Sequence, residues 1–229
     1  MSNKKIGYLS IAISIIFVIL FYESIIRDGS KSGRSKHLDR LTILCAGDSL
    51  TAGSYPEWLK KKFIQNGMEI KVVNKGVKGH TSGEYLRYME VHQILNESDP
   101  DIILLQLGTN DVRIDADNTP TNQFNKNMNQ IIKKMSQFQN SRGKLPKILI
   151  SSVPPINTIY STFNQESVRR IKEEINPAIE RLAAKWNLFF VDNYKLFLDN
   201  PEILPDIHPN EKGYEAMAEN YYRSLVSLP

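Results

Sequence analysis

Five short apolar runs recur along the chain: "LTILCA" from Leu41, "IKVVN" from Ile70, "DIILLQL" from Asp101, "KILISSV" from Lys147 and "LFFVD" from Leu188. Each is too short for a buried helix and rich in β-branched, leucine or aromatic residues, so all five predict strands. Their near-continuous apolarity predicts cover on both faces. Between them, apolar residues return every three or four positions, the period of a helix with one buried face. Trp58, Leu59 and Phe63 mark one such helix, Tyr85, Leu86 and Met89 a second, and Phe124, Met128, Ile131, Ile132 and Met135 a third. A fourth runs through Val168, Ile171, Ile175, Ile179, Leu182 and Trp186, with Pro177 as a kink or restart, and a fifth carries Tyr214, Met217, Ala218, Tyr221 and Leu225. Alternating strands and helices require right-handed crossovers between parallel strands, which predicts a three-layer α/β/α sandwich on a five-stranded parallel sheet.

Ahead of the first strand the pattern changes. Lys4 and Lys5 precede an uncharged, mostly apolar run of 17 residues, Ile6 to Tyr22, that has no polar face. This length is at the lower limit for a membrane-spanning helix and above the usual signal-peptide core, and no Ala-x-Ala site follows. Residues 1–23 are therefore expected to be an uncleaved signal anchor or transmembrane helix that brings the chain to a membrane. Residues 24–40, "SIIRDGSKSGRSKHLDR", read as a polar linker, and 41–229 as the folded domain. Arg27, Lys31, Arg34 and Lys36 follow the apolar run, so basic residues flank it on both sides; an extracytoplasmic domain is expected because the segment begins like a signal sequence.

Charge narrows the partners. The formal net charge is +4, but residues 1–40 hold seven Lys/Arg against three Asp/Glu, which leaves 22 of each sign in the remainder. A neutral domain has no basic face for phosphates, so no nucleic-acid partner is expected. Cys45, the sole cysteine, sits inside a strand run and reads as core. The four histidines, His37, His80, His92 and His208, follow no zinc-type spacing.

In a parallel sheet, ligands bind beyond the carboxyl ends of the strands. There the chain reads "GDSLTAG", "NKGVKGH" and "GTND" after the first three strands, and "DIHPN" before the last helix. Ser49 falls where strand gives way to helix, a place that exposes a hydroxyl beside the first N–H groups of the helix, although a serine there can also be a plain cap. Gly79 permits close backbone approach and Asn110 offers an amide NH₂, both suited to a developing oxyanion. With His208 they amount to a nucleophile, a base and three donors, counting the Ser49 N–H. Asp48 and Asp111 are expected to bind backbone N–H groups near helix N-termini. Lys75, Lys78 and His80 read as solvated loop residues that could reach a polar group of a substrate. Loops 112–123 and 153–165 are expected to border the pocket, with Ile156, Tyr160 and Phe163 as acyl contacts or as packing.

These four blocks resemble, in order, those of the SGNH or GDSL-type hydrolases, and the resemblance covers nearly all of 41–229. It implies a flavodoxin-like fold and carboxylic ester hydrolysis without cofactor or metal. The substrate would be a lipid, an O-acetylated carbohydrate or a small acyl ester. It further implies Ser49 as nucleophile, His208 as general base, and Ser49, Gly79 and Asn110 as the oxyanion hole. The family's last block places an Asp three residues before the His; here Pro205 holds that position and Asp206 is two before. Asp206 is the expected orienting acid, in weaker coupling than usual, with Asp192, Asp199 or a backbone carbonyl as substitutes. The shortened spacing also admits a non-catalytic binding module. A dinuclear metal site drawn from Asp48, Asn110, Asp111, Asp206 and His208 is poor in histidine, and a flavin site lacks a long phosphate-cradling loop.

Overall fold

The five apolar runs pair side by side as parallel strands in the order β2-β1-β3-β4-β5. They are β1 (Leu41–Gly47), β2 (Ile70–Gly76), β3 (Ile102–Gln106), β4 (Lys147–Ser151) and β5 (Phe189–Val191). The computed structural model describes residues 41–115, 117–156 and 162–228; the expected membrane segment, the linker and Tyr160 lie outside the described residues. Among the described residues no helix is long and apolar enough to cross a membrane.

Strand residues alternate between two cores, as the two-residue period of a strand demands. Leu44, Ala46, Ile103 and Leu105 face one side. That side is closed by α3 (Ser82–Val91), α4 (Ile94–Ser98), α5 (Thr121–Gln137) and the broken helix α6 (Gln165–Arg170) and α7 (Asn176–Trp186). Ile43, Cys45, Ile102 and Leu104 face the other, against α1 (Ser49–Ala52), α2 (Tyr55–Gln65), α8 (Asn193–Leu198) and α9 (Glu211–Val226). Cys45 is fully buried, and burial pushes its thiol up to about 12. It is a core residue.

One reading of the sequence needs correction. Cover on both faces holds for the central strands but not for β2, where Ile70 alone is buried, nor for β5, where Phe189 and Phe190 are half-exposed. Both lie at sheet edges, where one neighbour is missing. The fourth helix is interrupted where Pro177 is expected to kink or restart it: a π turn over Ile171–Ile175, in which the Asn176 N–H bonds to Ile171 O, precedes a restart with Pro177 in the first turn of α7. Proline has no N–H to continue the ladder, so the irregularity falls just ahead of it. The short α4 and α8 had no apolar period long enough to be read.

Candidate active site

The strand order reverses between β1 and β3, the point at which an open parallel sheet admits a ligand beyond the carboxyl ends of its strands. β1 ends at Gly47, and the chain turns directly into α1, with Asp48 as its cap and Ser49 as its first residue. The Asp48 carboxylate accepts the Leu50 N–H at 3.0 Å. The Asp48 N–H continues the ladder to Gln106 O at 3.2 Å, and Val77 N–H bonds Gly47 O at 2.9 Å. Those two bonds fix the turns after β1, β2 and β3 against one another. Close packing adds to this, since a side chain at Gly76 would meet the Ala52 nitrogen at 2.2 Å.

Of the expected site residues, Ser49 and His208 come together. The Ser49 Oγ lies 3.0 Å from His208 Nε2, across 159 positions of sequence. Asn110, in a single 3₁₀ turn over Asn110–Val112, donates one Nδ2 hydrogen to His80 O at 3.0 Å. That bond orients the amide, and among the described residues its second hydrogen has no acceptor. Gly79 has φ of +78°, a left-handed conformation that glycine adopts at no steric cost. Among the described residues no acceptor takes the Ser49 or Gly79 N–H. Among the described residues, three donors on the turns after β1, β2 and β3 are thus without an acceptor.

Asp206 is placed differently from the expectation. Its Oδ1 accepts the backbone N–H of His208 at 2.5 Å and stands 3.7 Å from His208 Nδ1, outside hydrogen-bond range. With two-residue spacing the carboxylate closes back on the nearer backbone N–H in place of the ring. The substitutes are engaged elsewhere: Asp192 accepts from Ser152 Oγ and Lys195 N, and Asp199 pairs with Lys195.

Asp111 carries structural work, as expected, accepting from Ser82 N at 2.9 Å and Ser82 Oγ at 2.6 Å. Burial raises its carboxyl, opposed chiefly by the Ser82 donors. Asp48 and Asp111 are therefore committed to backbone caps, and no cluster of three His, Cys, Asp or Glu side chains among the described residues could hold a metal ion. Lys75 pairs with Glu97 at 2.6 Å, and His80 lies edge-on to Tyr88. Ile156 and Phe163 pack into the core with Phe124. Tyr214, read from its spacing as a core residue, is half-buried with its phenol against Gly53 at the end of α1. Nothing in its helical period distinguishes that place.

Burial pushes the Asp48 carboxyl up to about 7, against the opposing Leu50 N–H. Its Oδ2 is buried with no hydrogen-bond partner among the described residues. The folded state thus holds this proton more tightly than the unfolded chain, whose Asp titrates near about 4. Stability should fall as pH rises from about 4 to about 7 and level off above. Asp48→Asn should flatten that slope, so that between about pH 5 and 8 the parent's melting temperature drops by on the order of 5 °C more than the variant's. Parallel melting curves for the two would contradict it.

A family model described as "GDSL-like Lipase/Acylhydrolase family" matches residues 45–216, most of the chain and all four motif blocks. The chain belongs to this family. This GDSL-like hydrolase is 28% identical over 215 residues to an acetylxylan esterase of Xylanibacter ruminicola, with 79% of this chain and 42% of that protein covered. The chain thus spans less than half of that relative's length. It is 24% identical to an arylesterase of Vibrio mimicus, covering 85% of this chain and 92% of the relative. Among solved structures, the lipase/acylhydrolase from Enterococcus faecalis superposes with a TM-score of 0.67 at 23% identity, over 81% of this chain and 95% of the other. That likeness concerns the fold.

Proposed function

We propose that this GDSL-like hydrolase is a serine esterase that works through an acyl-enzyme, with Ser49 as nucleophile and His208 as base. The single observation that carries the reading is the 3.0 Å contact between Ser49 Oγ and His208 Nε2. Neutral His208, protonated on Nδ1, accepts the serine proton at Nε2 while Oγ bonds to the ester carbonyl carbon. The carbonyl electron pair moves onto oxygen, within reach of the Ser49 and Gly79 N–H groups and the free Asn110 amide hydrogen. Collapse breaks the bond to the alcohol, which leaves with the proton from Nε2. Water then repeats the sequence on the acyl-enzyme and releases the acid.

The esterase relatives support an O-acetylated carbohydrate or a small acyl ester over a long lipid ester. A hydrolysis panel over acyl length and O-acetylated sugars tests this: turnover should be highest for acetyl esters, and a preference for long acyl chains would overturn it.

The 3.7 Å gap between Asp206 and Nδ1 favours a second reading, a pocket with an unactivated serine. Fluorophosphonate labelling separates the two, because an unactivated serine does not react. Under the esterase reading Asp206→Asn should lower kcat about tenfold, far below the ~10⁴-fold known for a tightly coupled triad acid. A glycine inserted after Asp206 should raise kcat by freeing the carboxylate to reach the ring. A fully active Asp206→Asn would leave His208 without this orienting acid.

We also propose that residues 1–23 anchor the domain to a membrane, on its extracytoplasmic side, on the strength of the apolar run Ile6–Tyr22. Full-length protein should pellet with membranes and resist high salt, and protease added to intact cells should reach the domain. Release by salt, or protection of the domain until lysis, would refute the anchor or the side respectively.

A further inference from the structure

Arg170 is a buried cation on a helix that carries none of the proposed catalytic groups. It is 7% exposed, while its neighbour Arg169 lies on the surface among Glu166, Glu173 and Glu174. A buried guanidinium is costly unless its donors are used. Here they converge on the segment that follows Asn110. Nη1 donates to Asp111 O at 3.2 Å and to Asn118 Oδ1 at 3.2 Å, and Nη2 donates to Thr119 O at 2.6 Å. Nε reaches Glu174 Oε2 at 3.4 Å. The Thr119 N–H also bonds Asp111 O at 3.0 Å, so the guanidinium closes 111–119 into a loop with its neck at Asp111. One turn earlier in the same helix, Ser167 Oγ holds Val112 O at 2.7 Å.

Asp111 passes this constraint on. Its backbone is held by Arg170, and its carboxylate is held by Ser82 at the N-terminus of α3. Ser82 Oγ is itself braced by Asn127 Nδ2 at 3.0 Å. Immediately before Ser82 come Thr81, His80, whose carbonyl fixes the Asn110 amide, and Gly79. The two oxyanion donors that lie outside α1 therefore stand on turns joined both by the Asn110–His80 bond and through Asp111, and Asp111 is pinned from behind by one arginine.

We propose that Arg170 is a positioning residue that sets the spacing of the Gly79 and Asn110 donors through Asp111. The proposal rests on the esterase reading above. An electrostatic donor is effective when it is preorganised where charge develops, and a displacement of about 1 Å can cost on the order of 10²-fold in rate. A loosened Asp111 carbonyl lets the 3₁₀ turn at Asn110 drift, which weakens transition-state binding and leaves ground-state binding little changed.

The test is a double-mutant cycle on short-chain ester hydrolysis. Arg170→Met should lower kcat on the order of tenfold with KM within about twofold, and Arg170→Lys, which keeps charge but loses the fork, should recover part of it. The distinguishing result is the combination with Asn110→Ala: once the Asn110 donor is gone, Arg170→Met should cost much less than it does in the parent. Independent effects that multiply, or an unchanged kcat in a folded Arg170→Met, would overturn the proposal. Should Arg170→Met fail to fold, Ser82→Ala and Arg170→Lys carry the same cycle from the two ends of the strut, and multiplicative losses in both would likewise refute it. Ser49 labelling by a fluorophosphonate in the parent separates this outcome from failure of the esterase reading.

Discussion

Ser49→Ala is expected to abolish ester hydrolysis, a loss on the order of 10⁴-fold or more, with no change in fold. The hydroxyl is the only group removed, and among the described residues it has one polar partner, His208 Nε2. The cap of α1 is not the serine but Asp48, whose carboxylate takes the Leu50 N–H, so the short helix keeps its N-terminal hydrogen bond in the variant. Circular dichroism and melting should therefore match the parent while turnover of an acetyl ester falls to background. Substantial turnover in a pure, folded Ser49→Ala would remove Ser49 as nucleophile and with it the acyl-enzyme.

Asn110→Ala should cost on the order of 10² to 10³-fold in kcat with KM nearly constant. The amide holds His80 O with one hydrogen and has the other uncommitted. A donor used mainly when the carbonyl oxygen becomes charged leaves its signature on kcat. A change confined to KM would make Asn110 a substrate-binding residue. Some of the loss would come from the unpaired His80 carbonyl, and Asn110→Asp, which keeps the side chain's shape but removes the NH₂, should be no more active than the alanine variant.

The sheet was legible because parallel strands buried on both faces leave little room for polar residues, as in "IILLQ" of β3. The same rule misjudged β2 and β5, since position within a sheet is a tertiary property that a run of five residues does not carry. Ser49, Gly79, Asn110 and His208 stood out because each follows a strand or precedes a helix in a motif of fixed spacing. The meeting of Ser49 with His208 was not readable from periodicity: 159 positions separate them. Asp206 shows the opposite limit. Spacing announced that the acid was displaced by one residue, but whether it would reach the ring or the backbone depends on a few tenths of a turn. Arg170 was invisible for a simpler reason. It sits in "VRRIKEE" beside Arg169, and no feature of composition tells the buried guanidinium from the solvated one.

β1 also sets a direction for the whole molecule. It enters at Leu41 and delivers the chain to Ser49 at its far end, a course of seven strand residues that spans roughly 20 Å at ~3.3 Å per residue. Leu41 and Ser49 therefore stand at opposite ends of β1, and under the proposed anchor the attachment would lie at the pole away from the proposed nucleophile. An ester meeting Ser49 at that end of the sheet would then be handled away from the proposed anchor.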